Sequence, residues 1–192
     1  MRPKESIKGL NKILIRSPNW VGDALLITPA VHRLRTYFPK AHITVLAKPW
    51  VTPVFEANPD VDQVILYQKP GIHQGMGGQW RLAQELKTSG FEVVVHFPHS
   101  FEAAWISFLS RIPVRIGYAT EWRGLLLSDH LRFTPIRKKE HQVPFFFHLL
   151  EPLGIREDPS AEKNPLCLNV DQKSLQQAEA RLDALGSAPL IF

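Results

Sequence analysis

A chain of 192 residues with 44% hydrophobic and 21% charged side chains is long and apolar enough to bury a full core, which excludes a disordered or low-complexity polymer. Its single cysteine, Cys167, excludes an internal disulfide and a multi-cysteine zinc site, and fits a reducing compartment. The net charge of +5 favours anionic partners, with nucleic acid, phosphorylated lipid and sugar phosphate all open, while no apolar run approaches the roughly 18 residues of a membrane span.

Residues 12–16, Lys-Ile-Leu-Ile-Arg, read as a buried strand. Pro18, Asn19 and Gly22 then supply loop chemistry. From Asp23 onward, Ala24, Ile27, Val31, Leu34 and Phe38 recur every three or four residues, which predicts a helix capped by Asp23. Pro29 lies too deep for a first-turn proline and predicts a late start or a kink. Residues 43–47 read as a strand, 50–57 as a short helix and 63–67 as another strand. A Gly-rich loop over 70–78 precedes a helix over 79–88. Residues 91–97 (Phe-Glu-Val-Val-Val-His-Phe) have the highest β-branched content in the chain and read as its strongest strand. A helix over 102–110, expected to bury Trp105, and a strand over 114–118 come next. This alternation predicts an α/β, Rossmann-like fold with a mostly parallel sheet and flanking helices.

Beyond Trp122 the pattern loosens into a basic stretch over 132–139. A helix over 140–153 presents Val143, Phe146, Phe147, Leu150 and Leu153 on one face and ends at Gly154. Residues 155–165 read as a linker, and Asp171 caps a final helix stopped by Gly186. The closing Ala-Pro-Leu-Ile-Phe reads as the first residues of a buried strand, so the chain is expected to be the N-terminal part of something longer. The expected division is a domain over 1–170, with 171–192 forming an interdomain helix and the start of a second domain.

The loop 17–23 joins the first strand to the first helix, at the sheet edge where open α/β folds bind ligands. A carboxylate there is either a helix cap or a general base, and Asp23 is open to both readings. No phosphate-loop motif occurs. Gly75-Met-Gly-Gly78 lacks the third glycine of a dinucleotide fingerprint, since Trp80 stands there, and reads as a loop. The pairs His96/His99 and His141/His148 lack a completing ligand set, so no metal site is expected, and Cys167 reads as buried filler. The arginines and lysines between Arg111 and Lys139 belong to no nucleic-acid module and read as a solvated face, with one or two free for phosphate.

The run from Ile13 to Arg35, with Trp-Val-Gly-Asp followed by Thr-Pro-Ala, resembles the ADP-heptose:lipopolysaccharide heptosyltransferases, their heptosyltransferase II branch above all. Pro59-Asp-Val-Asp-Gln-Val-Ile, Pro98-His-Ser-Phe-Glu-Ala-Ala-Trp, Arg115-Ile-Gly-Tyr and Trp122-Arg-Gly-Leu-Leu-Leu-Ser are similar to later segments of that family. The resemblance implies the N-terminal half of a GT-B glycosyltransferase, binding a phosphorylated Kdo-lipid A acceptor. ADP-heptose would be held by a second domain, and transfer would be inverting, without a metal or cofactor. Carried over, Asp23 deprotonates the acceptor hydroxyl, while Arg16, Ser17, Asn19, Trp20 and Gly22 shape the loop around it. Arg123 holds an acceptor phosphate or carboxylate. The implied location is cytoplasmic, with peripheral contact at the inner face of the inner membrane. On this reading the 192 residues alone carry no turnover. A non-enzymatic module for anionic glycolipid and a related transferase with another sugar donor stay open.

Overall fold

The computed structural model describes residues 9–132, 142–156, 166–170 and 172–185. The expected caps Asp171 and Gly186, His141, the basic run after Arg132, most of the expected linker and the closing apolar segment lie outside the described residues.

Six parallel strands form one sheet: β1 Lys12–Arg16, β2 His42–Ala47, β3 Gln63–Leu66, β4 Val93–His96, β5 Val114–Tyr118 and β6 Asp129–Leu131. Their order is β3-β2-β1-β4-β5-β6, with Ile13 in register with Ile43 on one side and Val93 on the other. The direction of winding reverses between β1 and β4, and the loops leaving their carboxyl ends border the crevice that such a reversal opens.

Strand alternation divides the core. Ile13, Ile15, Ile43, Val45, Val93 and Val95 face the larger apolar cluster. There they meet α1 Val21–Leu26, α2 Thr28–Tyr37, α3 Pro53–Glu56 and α6 Gln142–Phe147. Leu14, Leu46 and Val94 face the smaller cluster, built with Leu82, Ala83 and Leu86 of α4 Gly75–Ser89 and Ile106 of α5 Phe101–Leu109. A last helix, α7, covers Gln172–Leu185.

Several boundaries differ from expectation. The first helical stretch is two helices broken at Ile27, with Pro29 in the opening turn of the second, where a missing N–H costs least. Asp23 caps neither. Trp20 occupies the cap position of α1 without a side-chain bond, and Asp23 is the third helical residue. α4 begins at Gly75, so the Gly-rich run is its first turn rather than a loop. Gly78 permits this, since a Cβ there would lie 2.4 Å from the carbonyl carbon of His73. The helix expected over 140–153 changes to 3-10 geometry over His148–Leu153, where Pro152 has no N–H to give. Gly154 ends it in the left-handed conformation, φ +80°. Trp105 is half-buried on the outer face of α5, not in the core. Cys167 is half-exposed outside any strand, its N–H donating to Thr28 Oγ1 at 2.9 Å.

Candidate functional site

Arg16 ends β1 with its side chain on the α4–α5 side of the sheet, beside His96 of β4 in the same register. Its guanidinium is buried. Nη1 donates to the carbonyls of Ser17 (2.6 Å) and Leu46 (3.3 Å), and Nη2 donates to Asn19 Oδ1 (3.0 Å). These bonds draw the loop after β1 back onto the sheet. Ser17 is fully buried, its N–H donating to Leu46 O and its Oγ to Pro18 O. Trp50, from the loop after β2, donates Nε1–H to Asn19 O at 2.9 Å. Asn19 is thus held through its side chain by Arg16 and through its backbone by Trp50.

Past that clamp the chain opens to solvent. Trp20 is 75% exposed, Gly22 has free space around its missing Cβ, and Asp23 is half-buried in the first turn of α1. The Asp23 carboxylate makes no hydrogen bond or ion pair among the described residues.

Beside the clamp lies a group of side chains that the sequence alone does not single out. Tyr67 is buried just after β3, with the Arg16 guanidinium 4.8 Å from its ring centroid and Lys48 Nζ 5.1 Å from it. Its hydroxyl donates to Glu102 Oε1, while Lys69 and Gln79 bond Glu102 Oε2. Burial pushes Arg16 down to about 10, against the pull of Tyr67 and Glu102. Burial also pushes the Tyr67 phenol far up, helped by Glu102. Lys48 is lowered by burial and by the neighbouring charges of Arg16 and Lys69. Burial raises the Glu102 carboxyl, but the bonds from Lys69 and Tyr67 outweigh it and hold Glu102 below its usual range. Three cations therefore surround one carboxylate at the carboxyl edge, an electropositive corner suited to phosphate. The available signal is positional: Lys48 and Tyr67 directly follow strand ends and Lys69 lies two residues beyond Tyr67, where ligand contacts gather in this fold.

Arg123, which the resemblance assigns to an acceptor phosphate or carboxylate, has a completely buried side chain. Nε donates to Tyr118 O at 2.7 Å and Nη1 to Pro98 O and Ser100 O, tying the loop after β5 to the loop after β4. Burial lowers it to about 10. Its Nη2 is buried without a partner among the described residues, 3.3 Å from where a Gly117 Cβ would stand; the Cβ of His96 is equally close to that point. His96 Nε2 meets Ser107 Oγ at 2.9 Å. The Ser107 proton goes to Ala104 O, so His96 must be the donor, with a bare Nδ1. Burial and the three arginines nearby hold His96 neutral. A cavity of about 10 Å³, lined in part by Arg16, His96 and Ser107, lies beneath the crevice and has room for about one water. Among the described residues no three His, Cys, Asp or Glu side chains gather as a metal site, and no helix is long and apolar enough to cross a membrane.

Residues 79–191 match the family model described as glycosyltransferase family 9 (heptosyltransferase). The chain is 27% identical over 190 residues to lipooligosaccharide heptosyltransferase 2 of Haemophilus influenzae, covering 93% of this chain and 52% of that protein. It is 32% identical over 118 residues to lipopolysaccharide heptosyltransferase 2 of Salmonella typhimurium, covering 62% and 34%. Among solved structures, a family 9 glycosyltransferase from Veillonella parvula superposes with a TM-score of 0.82 at 22% identity, over 93% of this chain and 51% of that one. Escherichia coli ADP-heptose lps heptosyltransferase II does so at 0.70 and 24%, over 89% and 50%. At those identities the structures speak for the fold alone. The chain spans about half the length of the curated relatives it matches over most of its own length. The matched family model covers more than half of the sequence, and the chain belongs to glycosyltransferase family 9, the heptosyltransferase family.

Proposed function

We propose that this chain is the acceptor-binding half of a glycosyltransferase that moves heptose from ADP-heptose onto the phosphorylated inner core of lipopolysaccharide. In this reading Asp23 is the general base. It takes the proton of the acceptor hydroxyl as that oxygen attacks the anomeric carbon from the face opposite ADP, inverting the centre. The observation that carries the reading is the Asp23 carboxylate, which has no partner among the described residues and is set at the crevice directly after a loop clamped by Arg16 and Trp50. A general base must be held in place yet keep its own oxygens free, and the clamp on Asn19 supplies the first without using the second.

Ser17, Asn19, Trp20 and Gly22 shape the acceptor side of the loop. Lys48 and Lys69 supply cations for acceptor phosphates. Arg123 serves through the two loops it joins. ADP-heptose is held chiefly by the remainder of the protein, and no metal or separate cofactor takes part. In this reading the enzyme works in the cytoplasm, on an acceptor anchored in the inner membrane.

The test is a transfer assay on the protein that carries this half together with the rest of its sequence. The substrates are ADP-heptose and Kdo-lipid A already bearing one heptose. Asp23→Asn should lower kcat about 10²–10⁴-fold with acceptor affinity unchanged. Full activity in that variant would place the base elsewhere. No heptose transfer by the unaltered protein would refute the substrate assignment.

A further inference from the structure

Trp20, Trp50, Trp80 and Trp122 are all exposed, and Trp50 is held unlike the other three. Of these it is the one whose Nε1–H is bonded among the described residues, to Asn19 O at 2.9 Å. Lys48 Nζ stands 5.1 Å from its ring centroid and 5.1 Å from that of Tyr67, and donates to Lys69 O. The turn beneath the indole is equally fixed. The N–H groups of Val51 and Thr52 donate to Lys48 O at 2.9 and 3.1 Å, and Thr52 Oγ1 donates to Pro49 O at 3.1 Å. Val51 is fully buried, which anchors the chain on the far side of Trp50 in the larger core cluster.

This fixing leaves much of the indole uncovered, for Trp50 is 51% exposed. A ring ordered before a ligand arrives spares the complex the entropy of ordering it afterwards. An indole both fixed and open is therefore suited to receive a flat apolar surface.

The surroundings of the ring are polar. Asn19 Oδ1 accepts from Arg16, while the Asn19 NH2 has no partner among the described residues. Asp23 follows Asn19 by four residues in the first turn of α1, about one helical turn or 5.4 Å of rise. An apolar plane edged by an amide donor, a carboxylate and an ammonium matches a pyranose, whose C–H face is apolar and whose hydroxyls ring its edge. A purely apolar partner would cover those polar groups without bonding them. Adenine is flat but offers Asp23 no hydroxyl to deprotonate.

We propose that Trp50 is the stacking platform for the acceptor sugar that carries the attacking hydroxyl. The C–H face of that ring lies on the exposed indole, and the bond to Asn19 O fixes the height of the plane relative to Asp23. One side chain thus selects the acceptor and brings its hydroxyl into line with the base. This rests on the reading of Asp23 above.

Two variants of the protein that carries this half and the rest of its sequence separate the ring from the clamp. Trp50→Phe and Trp50→Leu both lack the N–H and lose the bond to Asn19 O, but Trp50→Phe alone keeps an aromatic plane. The KM for Kdo-lipid A bearing one heptose should stay within about threefold of the unaltered value in Trp50→Phe, and rise about tenfold or more in Trp50→Leu. kcat should fall equally in both, and the KM for ADP-heptose should not move. Isothermal titration with the lipid-free acceptor oligosaccharide, without donor, should repeat the tenfold difference in Kd. Phe108→Ala, which removes an exposed ring near the far end of α5, should change none of these values. A single acceptor affinity shared by the two Trp50 variants overturns the platform even if heptose is transferred, as does an equal loss in Phe108→Ala. A ring effect on the ADP-heptose KM instead overturns it in favour of adenine. If no heptose is transferred yet titration separates the two variants, the platform stands and the reaction assigned above falls.

Discussion

The contact between Gly78 and the loop before α4 makes a prediction in which two neighbouring glycines answer the same substitution differently. Gly77 and Gly78 both lie in the first turns of α4, and neither has a positive φ. Alanine at either should gain the same helix propensity, about 1 kcal/mol. At Gly77 nothing lies within 4 Å of the added Cβ. At Gly78 the Cβ would meet His73 C at 2.4 Å, with His73 Cα and Ile72 O at 2.7 Å. Ordinary carbon contacts begin near 3.5 Å, so helix and loop must part by about 1 Å, and the atoms in the way are backbone. Overpacking of that kind costs about 1–3 kcal/mol, which is also the expected difference between the variants because the propensity gain cancels. In a chain of this size it corresponds to melting temperatures about 2–12 °C apart, Gly77→Ala the higher. Urea denaturation gives the free energies directly. If both alanines stabilise equally, the close approach of α4 to His73 is not as described. The stack of His73 on Tyr67 would then lose its support as well.

Trp122, in the turn after β5, adopts the left-handed conformation (φ +62°) and is 90% exposed, so Trp122→Gly should hold thermal stability or raise it by about 1 kcal/mol, where a core Trp→Gly would cost several; a loss above about 1 kcal/mol would mean that the indole supports the fold. His96 is held neutral by burial and by Arg123, Arg16 and Arg115, while the unfolded chain protonates it near pH 6.5. Stability is therefore fully present above that pH and declines below it. His73 and His99, lowered chiefly by burial, act in the same direction. Urea midpoints at pH 7, 6 and 5 should fall, and His96→Leu should flatten the decline; an unchanged slope would count against a neutral buried His96.

The sheet is legible in the sequence because its strands announce themselves through β-branched runs such as Val93-Val94-Val95, and because the order of strands and helices restricts the topology. Three-residue β6 is not, since Asp-His-Leu has no room to show a period. The start of α4 is hidden because three glycines in four residues argue for a loop, while the contact of Gly78 with His73 is a tertiary fact. Trp105 is misplaced by its pattern because an apolar helical stripe carries no label for which side faces water. Asp23 and its loop stand out by position and resemblance. The Tyr67–Glu102 group escapes notice because its members, 35 residues apart, meet only once the β3–α4–β4 crossover and α5 are folded. Charge alone assigns Arg123 a surface role, and burial against three carbonyls reverses that expectation.

The central position of β1 also sets an order in time. Its first partner, β2, is synthesised about 30 residues later, but its second, β4, comes about 80 residues later, as the Asn11–Glu92 bond spans 81 positions. At about 5–20 residues per second, β1 waits roughly 4–16 s at the ribosome with one edge unpaired. That edge carries Ile13, Leu14 and Ile15, a template for any passing strand. The far bank of the crevice, through Arg123, is made later still. The growing chain thus passes through a stage with β1, β2 and β3 in place and half of its site missing, when it is most open to mispairing and to capture by a chaperone.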